Sequence, residues 1–106
     1  MSPLLDGEGD RMPSYELVFI ISPEVIDEEV PNTVTKVSEI INKIGGNVTE
    51  TSEWGRRKLA YPIKRFTEGN YVLAQIELEP ASIKELEANL RVSDEVLRHL
   101  LIRSRE

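Results

Sequence analysis

The stretch GNYVLAQIELEPASIKELEANL, residues 69–90, holds the two periodicities on which the fold turns. From Asn70 to Leu78 the side chains alternate, with Tyr71, Leu73, Gln75 and Glu77 on one face and Val72, Ala74, Ile76 and Leu78 on the other. A strand sends successive side chains to opposite sides, so the second, wholly apolar set is predicted to face a core. Pro80 interrupts the alternation, and beyond it Ile83, Leu86 and Leu90 recur at helical spacing as one buried stripe. Ser82 and Glu85 have the spacing of a capping box, in which each side chain satisfies a free amide at the helix start.

Working outward toward the N-terminus, residues 64–69 read as a turn, and Asn47 to about Ile63 as a long strand rich in Thr and charge. So polar a strand belongs at a sheet edge, and Gly55 within it marks a bulge or a close backbone approach. Upstream, Val30, Val34, Val37, Ile41 and Ile44 recur at spacings of four and three, an apolar helical stripe. Asp27 is the expected N-cap, Glu28 and Glu29 suit the positive end of the helix dipole, and Pro31 is tolerated because it lies in the opening turn. Gly45 and Gly46 supply the left-handed stop. Tyr15, Leu17, Phe19 and Ile21 alternate with Glu16, Val18 and Ile20, so the second half of this first strand is apolar on both faces. Working outward toward the C-terminus, Asp94 turns the chain into a last strand from Val96 to Arg103, whose apolar residues occupy both alternating sets and leave its facing open.

The order strand, helix, strand, strand, helix, strand is that of a split pair of βαβ units. The expected class is α+β, a ferredoxin-like βαββαβ sandwich whose four-stranded antiparallel sheet carries two helices on one face. That architecture hosts enzymes, sensors and RNA binders alike, so function has to be argued from particular residues.

With 106 residues and 40% hydrophobic composition the chain can bury one core. Residues 1–13 read as a flexible acidic extension and 14–106 as the domain, because the first eleven residues are rich in Gly, Asp and Glu and lack an apolar period. Asp6, Glu8 and Asp10 superficially match a calcium loop, but Arg11 stands where that loop needs Gly. With no Cys, disulfides, thiol catalysis and zinc ribbons are excluded, and a reducing, cytoplasmic setting fits. The apolar runs fall far short of the roughly 20 residues of a membrane span, so no membrane association is expected. His99, the single histidine, has no partner motif and lies among strand leucines, and no phosphate-binding glycine pattern occurs. Nothing reads as catalytic, and neither a metal nor a cofactor is expected.

The net charge of −6 argues on its face against a nucleic-acid partner. Its distribution reverses the argument: residues 1–53 carry 3 basic and 11 acidic side chains, residues 54–106 carry 10 basic and 8 acidic. Five cations, Arg56, Arg57, Lys58, Lys64 and Arg65, are flanked by Trp54, Tyr61 and Phe66. Charge for phosphates and flat groups for unstacked bases are what RNA requires. Equally, charges on an edge strand deter aggregation, and composition does not separate the two readings. Arg91, Arg98, Arg103 and Arg105 form a second basic group around the last strand. Val18 and Ile20 imply apolar surface on the helix-free sheet face, so two partners are expected, one nucleic acid and one protein. The Lys/Arg-Gly-Phe/Tyr motif that stacks bases across a sheet of this topology is missing.

The sequence resembles the family of the sixth bacterial small-subunit ribosomal protein over nearly all of residues 15–104. The resemblance rests on Tyr15-Glu16, on Gly55-Arg56-Arg57-Lys58-Leu59-Ala60-Tyr61-Pro62-Ile63, and on Leu90-Arg91 with Asp94, Val96 and Arg98. It implies a non-enzymatic, cofactor-free protein of the cytoplasmic ribosome. It also implies binding to the central domain of small-subunit ribosomal RNA, as a heterodimer with the eighteenth small-subunit protein. Carried over by position, Tyr15, Arg56, Arg57, Lys58, Tyr61, Arg98 and Arg103 are the expected RNA or partner residues. The free protein is expected to be monomeric, and about five phosphate contacts would make log affinity fall with log salt at a slope of roughly 3 to 5. The competing reading is a ligand-sensing regulatory module that pairs through its sheet edges into a homo-oligomer.

Overall fold

The computed structural model describes residues 12–104, so the expected mobile tail at residues 1–11, and Arg105 of the second basic group, lie outside the described residues. The elements are β1 (Ser14–Ile21), α1 (Val30–Lys43), β2 (Asn47–Ile63), β3 (Phe66–Glu77), α2 (Ile83–Val92) and β4 (Val96–Arg103). They form one antiparallel sheet in the order β2-β3-β1-β4, the expected ferredoxin-like arrangement. The sequence placed β2 at an edge because so polar a strand would be wasted in the centre, and there it sits.

The core lies where the two predicted stripes meet the sheet. Leu17, Phe19 and Ile21 of β1 stand opposite Leu101, His99 and Val96 of β4 on one side. On the other side Leu17 and Phe19 stand opposite Ala74 and Val72 of β3. Val34, Val37 and Ile41 of α1 and Leu86 and Leu90 of α2 close over this face. Gly45, at φ +94°, ends α1, with the Gly46 amide donating to the Ile41 carbonyl at 2.8 Å as a Schellman stop requires.

The facing that periodicity left open is decided by a bulge. Ile20 pairs with Arg98 but Ile21 with Val96, so Leu97 is an extra residue on β4. The bulge lets Val96 and His99, three apart, share the helix side, while Arg98, Leu100 and Ile102 point to the helix-free side. His99 Nε2 lies 3.4 Å from Glu87 Oε2 of α2, a structural contact at the core rim.

Three local expectations are corrected. Asp27 does not cap α1: it opens a 3-10 turn (Asp27–Glu29), and Glu29 precedes the helix without a side-chain cap. Ser82 and Glu85 do not form a capping box either. Ser82 ends a second 3-10 turn (Pro80–Ser82) with helical dihedrals, φ −93° and ψ −4°, whereas a capping hydroxyl needs an extended backbone to reach back. Its hydroxyl donates instead to the Ile44 carbonyl, 3.5 Å away at the end of α1. Finally, the turn expected over residues 64–69 is only two residues long, since Ile63 pairs with Phe66 around Lys64, whose φ is +56°.

Candidate nucleic-acid interface

Hairpin β2–β3 is longer than its neighbours. The pairing of β1 with β3 stops at Ile21 and Asn70, whereas β2 and β3 continue through Arg57 and Gly69, and Lys58 and Glu68, to the tip. The run of cations thus stands on an arm that outreaches the sheet. Two features let it do so. Gly55, at φ +87°, carries the bulge between Glu53 and Gly55, a left-handed backbone that side chains resist. Gly69 lies against β1, where an added Cβ would meet Ile20 Cγ2 at 2.5 Å and the Ile21 carbonyl oxygen at 2.9 Å.

Between Lys58 and Ile63 the regular ladder breaks, with four residues on β2 against one on β3. The freed segment turns over the helix-free face, where Leu59, Tyr61 and Ile63 enclose a small concavity with Ile20, Tyr71 and Arg98. This accounts for Ile20, which points away from the helices yet is only 8% exposed. The Arg98 guanidinium lies 5.7 Å from the Tyr61 ring centroid and donates to the Tyr61 hydroxyl, tying the hairpin to the far edge strand. Beside it the helix-free face remains apolar and open: Leu100 is 55% and Ile102 47% exposed, and Val18 and Leu73 are half-buried.

The expected site residues fall into two groups. Arg56, Arg57, Lys58, Tyr61 and Arg98 gather at the hairpin end. Tyr15 and Arg103 stand opposite each other at the other end of β1, five residues from Ile20, or about 16 Å along the strand. Tyr15 is buried in the core, and its ring supports the Arg103 guanidinium at 5.8 Å.

The hairpin cations are unlike one another. Arg56 is bound twice, with Nη2 3.4 Å from Asp27 Oδ1 and Nη1 3.5 Å from Glu68 Oε2. Arg65 Nη2 lies 3.4 Å from Glu24 Oε2, and its guanidinium is 5.0 Å from the Phe66 ring. Arg57 sits 5.8 Å from the Trp54 ring and donates through Nε to the Trp54 carbonyl at 3.4 Å. Among the described residues no carboxylate pairs with Arg57, Lys58 or Lys64. Sequence reading missed the acidic partners because Asp27 and Arg56 are 29 residues apart and no spacing rule joins them. It missed Leu100 and Ile102 for want of the bulge, which has no local signature.

The described residues contain no cluster of three potential metal ligands, and no helix long and apolar enough to cross a membrane. The family model described as ribosomal protein S6 matches residues 14–103.

The chain belongs to the ribosomal protein S6 family.

Small ribosomal subunit protein bS6 of Desulforamulus reducens is 40% identical over 95 residues, which are 90% of this chain and all of that protein. The bS6 protein of Caldanaerobacter subterraneus is 42% identical over 93 residues, 88% of this chain and 98% of its own. Among solved structures, 30S ribosomal protein S6 from Thermotoga maritima has the same fold, with a TM-score of 0.81, 36% identity and 89% of each chain covered. S6 proteins are structural ribosomal components, and this chain is accordingly a ribosomal protein and not an enzyme.

Proposed function

We propose that this S6 protein binds the central domain of small-subunit ribosomal RNA in the cytoplasmic ribosome, together with the eighteenth small-subunit protein, and stabilises a helical junction there. The observation that carries the reading is the juxtaposition of two unlike surfaces on one rigid sheet. The hairpin arm offers Arg57, Lys58 and Lys64 without carboxylate partners among the described residues, beside the exposed Trp54. Next to it lies an apolar strip of Val18, Leu73, Leu100 and Ile102, bordered by Tyr61 and Arg98.

The two surfaces suit different chemistry. Lys and Arg on a projecting arm can neutralise phosphates from outside a folded RNA, and a ring stacked under Arg57 keeps that guanidinium extended. Exposed Leu and Ile on a flat sheet gain nothing from phosphates but do gain from a protein that removes them from water, at about 25 cal/mol per Å². Arg56 braces the hairpin against the β1–α1 loop, and Arg103 over Tyr15 offers a further cation at the opposite end. A monomeric free protein follows, because the apolar strip awaits a different partner.

Binding of the purified S6 and eighteenth-protein pair to the central-domain junction, titrated over a salt series, tests this. Replacing Arg57 and Lys58 together with Ala should leave stability within about 0.5 kcal/mol, since exposed charges contribute little. It should also weaken junction binding and lower the salt slope by about 1.5 to 2. Unchanged binding and slope would reject the assignment.

A further inference from the structure

Asp27, read from sequence as a helix cap, and Glu24, in the same loop between β1 and α1, both reach the hairpin instead. Asp27 takes Arg56 at 3.4 Å and Glu24 takes Arg65 at 3.4 Å, while Glu68 of β3 holds the second arm of Arg56. The loop is anchored well enough to aim them. The Glu24 amide donates to Ser22 Oγ at 3.1 Å, the Val25 amide to the Ser22 carbonyl at 3.0 Å, and the Ser22 amide to the Glu95 carbonyl at 2.8 Å. Glu95 is itself bound by Thr33 at 3.0 Å and Lys36 at 3.3 Å, so the loop is fastened to α1 and β4. Arg56 keeps only 34% of its side chain exposed, whereas Asp27 keeps 82%; the Arg65–Glu24 pair stands open at 77% and 66%, so Arg56 is the firmly held cation and Arg65 the loosely held one.

We infer that Glu24 and Asp27, with Glu68, are specificity-determining residues of the RNA-binding hairpin: by holding Arg56 and Arg65 they withdraw two of its five cations from indiscriminate phosphate binding. The inference rests on the hairpin being an RNA-binding surface. Strand alternation sends Arg56 and Arg57 to opposite sides. RNA approaching from the helix side therefore meets Glu24, Asp27, Glu28 and Glu29 around Lys58, whereas RNA approaching from the hairpin tip or the helix-free side meets Arg57 and Lys64. Unrelated RNA, bound by charge alone, is repelled over half of its approach directions. A folded junction that presents phosphates only on the permitted side loses little.

The experiment measures the full chain on two probes across a salt series: an RNA duplex of unrelated sequence, and the central-domain junction with the partner protein present. The unrelated duplex should see Arg57 and Lys64 on the wild type, a log-log slope of about 1.8. Glu24→Gln combined with Asp27→Asn and Glu68→Gln frees Arg56 and Arg65, so the slope should rise toward about 3.6 and duplex affinity at low salt by about tenfold. Junction affinity should rise less, so that the ratio between the two falls.

A control, Glu39→Gln with Glu79→Gln and Glu85→Gln, changes net charge equally at exposed positions that hold no arginine. If the control strengthens duplex binding as much as the loop variant, net charge is responsible and the inference is overturned. An unchanged slope in the loop variant overturns it too. The Arg57→Ala, Lys58→Ala pair separates the two ways of failing. If it weakens RNA binding while the loop variant has no effect, only the inference falls; if it has no effect in either background, the hairpin does not bind RNA and both fall.

Discussion

Both faces of the sheet carry large apolar residues, and these have opposite fates. On the helix side Leu17, Phe19, Ile21, Val72 and Ile76 are almost wholly removed from water beneath α1 and α2. On the other side nothing among the described residues covers Leu100 and Ile102, Val18 and Leu73 are half-buried, and Ile20 is sealed by the returning segment of β2. Both sides obey the same period of two, so alternation does not distinguish a core from an interface. The difference is made by what packs above, and the bare apolar face is where the proposed protein partner would sit.

The comparison can be broken most severely at the core. Phe19→Ala, on the helix side, removes a ring that nothing can replace and should cost about 3 to 5 kcal/mol, read as a lower urea midpoint with an unchanged slope. A loss below about 1 kcal/mol would mean that the helix layer is not the main source of stability. Next comes the seam between the faces. Gly69→Ala puts a methyl against Ile20 and the Ile21 carbonyl, and should cost about 1 to 3 kcal/mol by forcing the hairpin away from β1. If chemical denaturation finds no loss, the arm is less closely seated than its contacts imply. The smallest effect belongs to the open face: Leu100→Ser should change the stability of the free protein by less than about 0.5 kcal/mol. Yet it should weaken association with the protein partner by about tenfold, or 1.4 kcal/mol, in a pull-down titration or calorimetry. Equal binding by this variant would remove Leu100 from the proposed partner surface.

Legibility of the fold followed the range of the interactions involved. The α1 stripe and the β3 alternation were readable because each depends on a fixed backbone period, and the edge position of β2 because a polar strand has nothing to bury. Helix starts were misread for a physical reason: both helices are entered through a 3-10 turn, so Asp27 and Ser82 lack the extended backbone that lets a side chain fold back onto free amides. Asp27, released from capping, became a partner for Arg56. The cationic run was legible as a unit, but its division into held and unheld members was not, since it depends on a loop that the chain leaves almost thirty residues earlier.

By itself the sequence determined the strands and helices, the composition of the core and the family, because periodicity, turn chemistry and a motif such as Gly55-Arg56-Arg57-Lys58-Leu59-Ala60-Tyr61-Pro62-Ile63 are local properties of the chain. Only the tertiary structure decided which way β4 faces, which cations are already paired, and which residues of the helix-free face stay open. Those depend on a bulge, on ion pairs and on a covering layer, and each arises from segments that become neighbours only when the sheet closes.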